Sequence, residues 1–120
     1  MIEDSQKKNL KIAIVAGEKS GDELGGPLME SLKSKNPSID FIGVGGPKMI
    51  SAGLVSQFDM DEIAVMGIIE PLLNLKKILR LRRELKNFLL RENPDLFIGI
   101  DSPDFNLPIA KFLKNKNRMK

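Results

Sequence analysis

Leu96-Phe-Ile-Gly-Ile100 is a short apolar run, and Asp101-Ser-Pro-Asp-Phe-Asn106 follows it without a break. A short run of this kind is typical of a strand that is buried on both faces, as strands in parallel sheets are. The carboxyl ends of the strands in open α/β sheets line the ligand crevice. The sequence therefore predicts that Asp101 lies at the mouth of a site. A carboxylate that is partly removed from water there needs a hydrogen-bonding or charged partner, from the protein or from a ligand.

The rest of the chain repeats this alternation of apolar runs, glycine-containing turns and helical periodicity. Residues 59–66 fit neither pattern. The predicted strands cover residues 11–16, 41–44, 54–58 and 96–100, and the predicted helices cover residues 23–35, 48–52, 71–91 and 107–113. Strands and helices that alternate with short connections predict an α/β fold, with a parallel sheet and helices on both of its faces.

The 120 residues contain neither cysteine nor histidine. This composition excludes disulfides, thiolate nucleophiles and the serine–histidine triad, and it excludes most zinc sites. Acid–base chemistry would have to come from Asp, Glu or Lys. Residues 1–9 are polar and have no apolar core, so they do not form a signal peptide. The absence of cysteine is compatible with a reducing cytoplasm.

Three polar side chains follow the last predicted strand, those of Asp101, Asp104 and Asn106. They could bind sugar hydroxyls, or one carboxylate could act as a general base. A metal site is disfavoured because nothing nearby completes a set of ligands. The alternative for Asp104 and Asn106 is a structural one, in which they cap the final helix.

Gly17-Glu-Lys-Ser-Gly-Asp22 joins the first predicted strand to the first predicted helix. It matches neither the P-loop nor the dinucleotide-binding pattern. Its backbone N–H groups could contact an anion or a sugar. Alternatively, it is a tight turn in which Asp22 is the N-cap of helix 23–35, whose Leu24, Leu28 and Leu32 recur every four residues.

The predicted helix 71–91 is strongly basic, with seven Lys or Arg and one acid between Lys76 and Arg91. One face is apolar and should pack on the sheet. Its residues are Leu75, Ile78, Leu81, Leu85, Phe88 and Leu89. On another face Leu73 falls among Lys76, Arg80 and Arg83, as does Ile69 if the helix begins earlier. This mixture is typical of a helix at a membrane surface, or of a solvated basic face. Nucleic acid is a weaker alternative, because no known binding motif is present.

Four segments, in their order and separation, resemble the N-terminal part of the lipid-A-disaccharide synthase family. They are Val15-Ala-Gly-Glu-Lys-Ser-Gly-Asp22, Phe41-Ile-Gly-Val-Gly-Gly-Pro47, Glu62-Ile-Ala-Val-Met-Gly-Ile-Ile-Glu70 and Gly99-Ile-Asp-Ser-Pro-Asp-Phe-Asn106. The resemblance extends from Ile12 to about Leu113. It implies a Rossmann-like domain at residues 10–113, between a polar extension at 1–9 and a basic tail at 114–120.

The resemblance also implies an activity. Family members transfer diacylglucosamine from UDP to the 6-hydroxyl of diacylglucosamine 1-phosphate, and they are cytoplasmic enzymes peripheral to the inner membrane. The family's essential aspartate corresponds to Asp101, as general base or orienting group. The expected substrate-binding residues are Glu18, Ser20, Gly21, Asp22, Asp104 and Asn106. The expected membrane contacts are Ile69, Leu72, Leu73, Lys76, Arg80 and Arg83. No cofactor and no metal is expected.

Family members are much longer than this chain, and their C-terminal half holds most of the UDP-sugar site. The resemblance therefore implies the acceptor-side part of the enzyme, without the donor-binding domain, and we expect the isolated chain to be inactive. Two alternatives from other classes are a non-catalytic flavodoxin-like binding module and a peripheral membrane-binding domain that uses the basic helix alone.

Overall fold

In a computed structural model, the described residues are 10–68 and 75–117. Predictions for residues 1–9, 69–74 and 118–120 lie outside them, including the membrane contacts proposed for Ile69, Leu72 and Leu73. The elements are β1 (Lys11–Val15), α1 (Lys19–Lys35), β2 (Asp40–Val44), α2 (Pro47–Ser51), β3 (Leu54–Ser56), α3 (Asp61–Ile68), α4 (Leu75–Glu92), β4 (Leu96–Gly99) and α5 (Pro103–Asn117).

The strands form one parallel sheet in the order β3-β2-β1-β4. Val15 at the end of β1 is in register with Val44 of β2 and with Gly99 of β4. The carboxyl ends of these three strands therefore lie level at one edge of the sheet. Right-handed crossovers place α1 and α2 on one face and α4 and α5 on the other, and the helix contacts pair in that way. The predicted α/β class with a Rossmann-like arrangement is confirmed.

Helix α1 differs from its prediction in both its start and its buried face. It begins at Lys19, and Glu18 is its N-cap, so the prediction that Asp22 is the N-cap is wrong. Leu24 and Leu28 are exposed to 67% and 39%. The buried face consists instead of Gly21, Asp22, Gly25, Gly26 and Met29. The helix thus packs through glycines, which lets its backbone come closer to the neighbouring elements than leucines would.

Helix α4 follows its predicted periodicity over most of its length. Leu81, Leu85 and Leu89 are buried, whereas Leu75 is 49% exposed and was assigned wrongly to the core face. The helix ends at Glu92, before Asn93 in a left-handed conformation (φ 51°). Among the described helices, none combines the length and the apolar character needed to cross a membrane.

Helix α5 is longer than predicted at both ends. It begins at Pro103, a favourable residue for the first position of a helix. It continues to Asn117, four residues beyond the predicted end at Leu113. Residues 59–66, which the sequence left open, contribute to α3.

Candidate functional site

The candidate site lies where the loop after β1 meets the turn after β4. The carboxylate of Asp101 accepts hydrogen bonds from two backbone amides, with Gly17 N at 2.6 Å from Oδ1 and Glu18 N at 3.1 Å from Oδ2. Hydrogen bonds to an ionised acceptor are stronger than neutral ones. They orient Asp101 at the sheet edge, and each oxygen keeps a further lone pair for another donor.

The turn that carries Asp101 has an uncommon backbone. Ser102 has a φ of 48°, in the left-handed region that disfavours residues with a Cβ. Such a conformation costs about 1–3 kcal/mol and persists only where the surroundings hold it. Here the Ser102 carbonyl accepts hydrogen bonds from the backbone N–H groups of Phe105 and Asn106, both at 2.9 Å.

Asn106 is buried, with 4% of its surface exposed. Its Nδ2 donates to the Asp101 carbonyl at 2.6 Å and to the Val15 carbonyl at 3.4 Å, while its Oδ1 is buried and has no hydrogen-bond partner among the described residues. Because α5 begins at Pro103, Asn106 and Asp104 both lie inside the helix. The prediction that either residue caps this helix is therefore wrong.

Glycines let α1 approach the turn. A Cβ on Gly17 would overlap the Ser102 side chain, and a Cβ on Gly21 would overlap the Asp101 carboxylate. Gly17 precedes α1 and Gly21 lies in its first turn, and both glycines face the turn that carries Asp101. The sequence prediction treated these glycines as part of a loop. Their spacing, repeated at Gly25, was the signal that could have revealed a close-packed helix face.

Replacing Gly21 with alanine is expected to lower the free energy of unfolding by about 2–5 kcal/mol. The new Cβ displaces the Asp101 carboxylate, so two charge-assisted hydrogen bonds worth about 1.5–3 kcal/mol each are lost. The higher helix propensity of alanine offsets about 1 kcal/mol of this loss. Urea unfolding measures the change.

Gly26→Ala is the matched control for that substitution. Its Cβ would lie 3.1 Å from the nearest atom, the Lys48 Cβ, so only a small adjustment is needed. We expect its free energy of unfolding to stay within about 1 kcal/mol of the unsubstituted chain, since the helix propensity gain offsets a slight crowding. Equal losses in the two variants would contradict the proposed overlap with Asp101.

A second carboxylate, that of Asp22, is buried, with 2% of its surface exposed. It caps α2 from a distance. Its Oδ1 accepts hydrogen bonds from Gly46 N (3.0 Å) and Met49 N (2.9 Å), and its Oδ2 accepts one from Lys48 N (3.1 Å). Asp22 therefore fastens α1 to the loop after β2, and the sequence prediction missed this role.

A pocket of about 260 Å³ lies next to this capped loop. Its lining residues are Lys19, Asp22, Glu23, Pro47, Lys48, Met60 and Asp61. The pocket combines two cations with acidic side chains, and the exposed residues Glu18 and Ser20 lie beside it in sequence. In the described part of the chain, no three acidic side chains form a group that could hold a metal ion.

The basic face of α4 has the exposure that the sequence predicts for Lys76, Arg80 and Arg83. Leu79, which the prediction did not include, is 45% exposed among them. Arg80 lies 3.9 Å from the Glu84 carboxylate, a solvent-exposed pair that contributes little to stability. The described part of this face is thus cationic with exposed leucines.

The sequence is similar to that of known proteins over almost its whole length. The family described as lipid-A-disaccharide synthetase matches residues 12–120. A lipid-A-disaccharide synthase from Aliivibrio fischeri (strain MJ11) is 51% identical over 108 residues, which are 90% of this chain and 28% of the relative. One from Pseudomonas fluorescens (strain Pf0-1) is 54% identical over 106 residues, 88% of this chain and 28% of the relative.

A third synthase, from Alcanivorax borkumensis, is 52% identical over 105 residues, 88% of this chain and 27% of the relative. The chain thus spans a little over a quarter of the length of the curated relatives it matches. The family match covers the sheet from Ile12 onward and both sides of the candidate site. The chain belongs to the lipid-A-disaccharide synthetase family.

Proposed function

We propose that the chain is the acceptor-side part of a lipid-A-disaccharide synthase. The reaction transfers diacylglucosamine from UDP to the 6-hydroxyl of diacylglucosamine 1-phosphate, which gives lipid A disaccharide 1-phosphate and UDP. The observation that carries this proposal is the Asp101 carboxylate, oriented by two backbone amides at the sheet edge, in a chain of this family.

Asp101 is the proposed general base. It takes the proton of the acceptor hydroxyl as that oxygen bonds to the anomeric carbon of the donor, and the bond from that carbon to UDP breaks. A base must lie within hydrogen-bond reach of the proton that it takes. The reaction also needs a positioned donor, since proximity supplies much of the rate. We propose that the portion of the relatives that this chain does not match binds UDP, and that the chain alone does not turn over.

The residues around Asp101 have two proposed roles. Glu18, whose backbone N–H donates to Asp101, and Ser20 are both exposed and are proposed to contact the acceptor sugar, and Asp104 remains a proposed substrate contact. Asp22 and Gly21 are buried. We propose that they contribute indirectly. Asp22 holds the loop after β2, next to the pocket, and Gly21 leaves room for the Asp101 carboxylate.

A chimera tests the proposed activity. The matching N-terminal residues of the Pseudomonas fluorescens relative are replaced with residues 12–117 of this chain, and disaccharide formation is measured in detergent micelles. Turnover by the chimera, with none by the 120-residue chain alone, supports the proposal. A folded but inactive chimera would contradict the proposed function, and turnover by the chain alone would show that the donor site lies within it.

The second proposed function is attachment to the cytoplasmic surface of the inner membrane. The observation that favours it is the exposure of Leu75 and Leu79, at 49% and 45%, on a helix rich in cations. Apolar side chains can enter the headgroup region while Lys76, Arg80 and Arg83 contact anionic lipids. Ile69, Leu72 and Leu73 remain proposed contacts of the same surface.

Replacing Leu79 with glutamate is expected to weaken binding of the chain to anionic vesicles by about tenfold or more. Burying a leucine side chain contributes about 1.5–3 kcal/mol, and the new carboxylate is repelled by anionic lipids. Cosedimentation with vesicles at low salt measures the bound fraction. Leu24→Glu is the matched control, because Leu24 is an exposed leucine of α1. Equal effects of the two substitutions, or no sedimentation of the unsubstituted chain, would exclude this surface.

A further inference from the structure

Asn106 connects the ends of β1 and β4 to each other. Its Nδ2 donates to the carbonyls of Val15 and Asp101, and its backbone N–H donates to the Ser102 carbonyl. We propose that Asn106 is a positioning residue, which holds Asp101 so that the carboxylate meets the amides of Gly17 and Glu18. The importance of this role of Asn106 for catalysis rests on the function proposed above for Asp101.

The sheet alone does not fix Asp101. The pairing of β1 with β4 ends at Val15 and Gly99, and Ile100 N donates to Val15 O at 3.0 Å just beyond it. In the described structure, Ile100 is the last residue of this segment whose backbone is hydrogen-bonded to β1. The position of Asp101 therefore depends on the bonds of its side chain and of its carbonyl, and the carbonyl bond is made by Asn106.

The turn also depends on Asn106. The left-handed conformation of Ser102 directs the chain from β4 into α5. Conformations of this kind persist where neighbouring bonds over-determine them. Asn106 supplies two such bonds, one from its backbone N–H to Ser102 O at 2.9 Å and one from its side chain to Asp101 O at 2.6 Å.

The amide group of Asn106 has little freedom to turn. A Cβ on Gly99 would lie 3.0 Å from the Asn106 Cβ and 3.1 Å from its Nδ2, so the side chain rests directly on the glycine. A rotated amide would place Oδ1 against two carbonyl oxygens. The observed orientation leaves Oδ1 buried with no hydrogen-bond donor from the described part of the chain, which is unfavourable. An apolar residue would fill the same space without this penalty, so packing alone does not account for an asparagine here.

Asn106→Asp tests the proposal, because it keeps the size and replaces the donor with an oxygen that faces two carbonyls. Hydrogen exchange of the 120-residue chain, followed by NMR, is the first measurement. We expect exchange at Gly17 and Glu18 to accelerate about tenfold or more, while Ile14 and Ile42 in the β1–β2 ladder stay within about twofold. Asn87→Asp, the same change at an exposed position of α4, should leave all four amides unchanged.

Two outcomes would overturn the proposal. One is unchanged exchange at Gly17 and Glu18, and the other is a uniform acceleration throughout the sheet, which would assign Asn106 to general stability. If Asn106→Asp does not fold, Asn106→Ser replaces it, because serine adds no buried charge and its hydroxyl is one bond too short to donate from the position of Nδ2. The same local acceleration is then expected for the serine variant.

Kinetics of the chimera provide the second measurement. Asn106→Asp should lower kcat about tenfold or more and leave the KM for diacylglucosamine 1-phosphate within about twofold, since misplacement of a base affects the transition state more than binding. A rise in KM with unchanged kcat would overturn the positioning role. If Asp101→Asn is fully active, the proposed base role of Asp101 fails, whereas the exchange experiment still decides whether Asn106 positions it.

Discussion

Replacing Asp101 with asparagine is expected to lower disaccharide formation by the chimera about 100- to 10,000-fold. This is the usual contribution of a general base to an enzymatic rate. Asparagine has the same size but cannot take a proton from the acceptor hydroxyl. The chain contains no histidine to replace the carboxylate. The measurement is the initial rate of disaccharide formation at saturating substrate.

The loss must be separated from an effect on folding, because Asp101 also accepts two backbone hydrogen bonds. Asparagine has one acceptor oxygen, so we expect the variant to lose about 1–2 kcal/mol of stability. Asp95→Asn is a matched control at the opposite edge of the sheet. The Asp95 carboxylate accepts a hydrogen bond from the backbone N–H of Lys11 at 2.9 Å, again between β4 and β1.

Asp95→Asn should lower the melting temperature by less, because the exposed Asp95 carboxylate accepts a single backbone bond and asparagine keeps one acceptor oxygen. It should leave the rate within about twofold, because Asp95 and Asp101 lie at opposite ends of β4. If both variants lose activity in proportion to stability, Asp101 serves the fold and not the proton transfer. Wild-type turnover by a folded Asp101→Asn chimera would exclude it as the base.

The sheet and the place of Asp101 were predictable from local sequence. Leu96–Ile100 is apolar apart from Gly99 and Asp101 ends the run, so hydrophobicity and charge locate the strand and its carboxyl end. The prediction that this strand is buried on both faces was wrong, because β4 lies at the edge of the sheet and its residues are half-buried or exposed. Helix α4 was predictable for a similar reason, since its leucines recur with helical period over many turns. The error at Leu75 arose at the end of the helix, where periodicity does not show which residues the neighbouring elements cover.

The start of α1 was not predictable from local signals. Asp22 looked like an N-cap because capping residues usually act within their own helix. In the structure the carboxylate of Asp22 reaches α2, while Asp101 binds the amides of Gly17 and Glu18 before α1. These partners lie far away in sequence. A pattern confined to one segment cannot show which of two distant carboxylates satisfies which amides.

The buried face of α1 illustrates the same limit. Leucines four residues apart predict an apolar stripe, but Leu24 and Leu28 are exposed. Gly21 and Gly25 are buried instead, because the helix lies close to the turn that carries Asp101. Hydrophobicity scales give glycine little weight, so the closest contact of the helix was the one that the sequence pattern concealed.

Replacing Asp22 with alanine is expected to lower the free energy of unfolding by about 3–5 kcal/mol, the range observed when a buried charge interaction loses one partner. The substitution leaves the N–H groups of Gly46, Lys48 and Met49 without their acceptor. Hydrogen bonds to charged groups contribute about 1.5–3 kcal/mol each, and three bonds to one carboxylate are not additive. Stabilities of small domains are about 5–15 kcal/mol, so the loss is a large fraction of the total.

Urea unfolding measures this loss of stability, and two further variants serve as comparisons. Asp22→Asn keeps one acceptor oxygen, so we expect a loss between that of alanine and the unsubstituted chain. Asp40→Ala removes an exposed carboxylate at the start of β2 and should change stability by less than about 0.5 kcal/mol. A loss below about 1 kcal/mol for Asp22→Ala would show that water or a rearranged loop satisfies the three amides. A loss in the expected range would show that the Asp22 carboxylate holds α1 against the loop after β2. The pocket beside that loop would then depend on Asp22 for its shape.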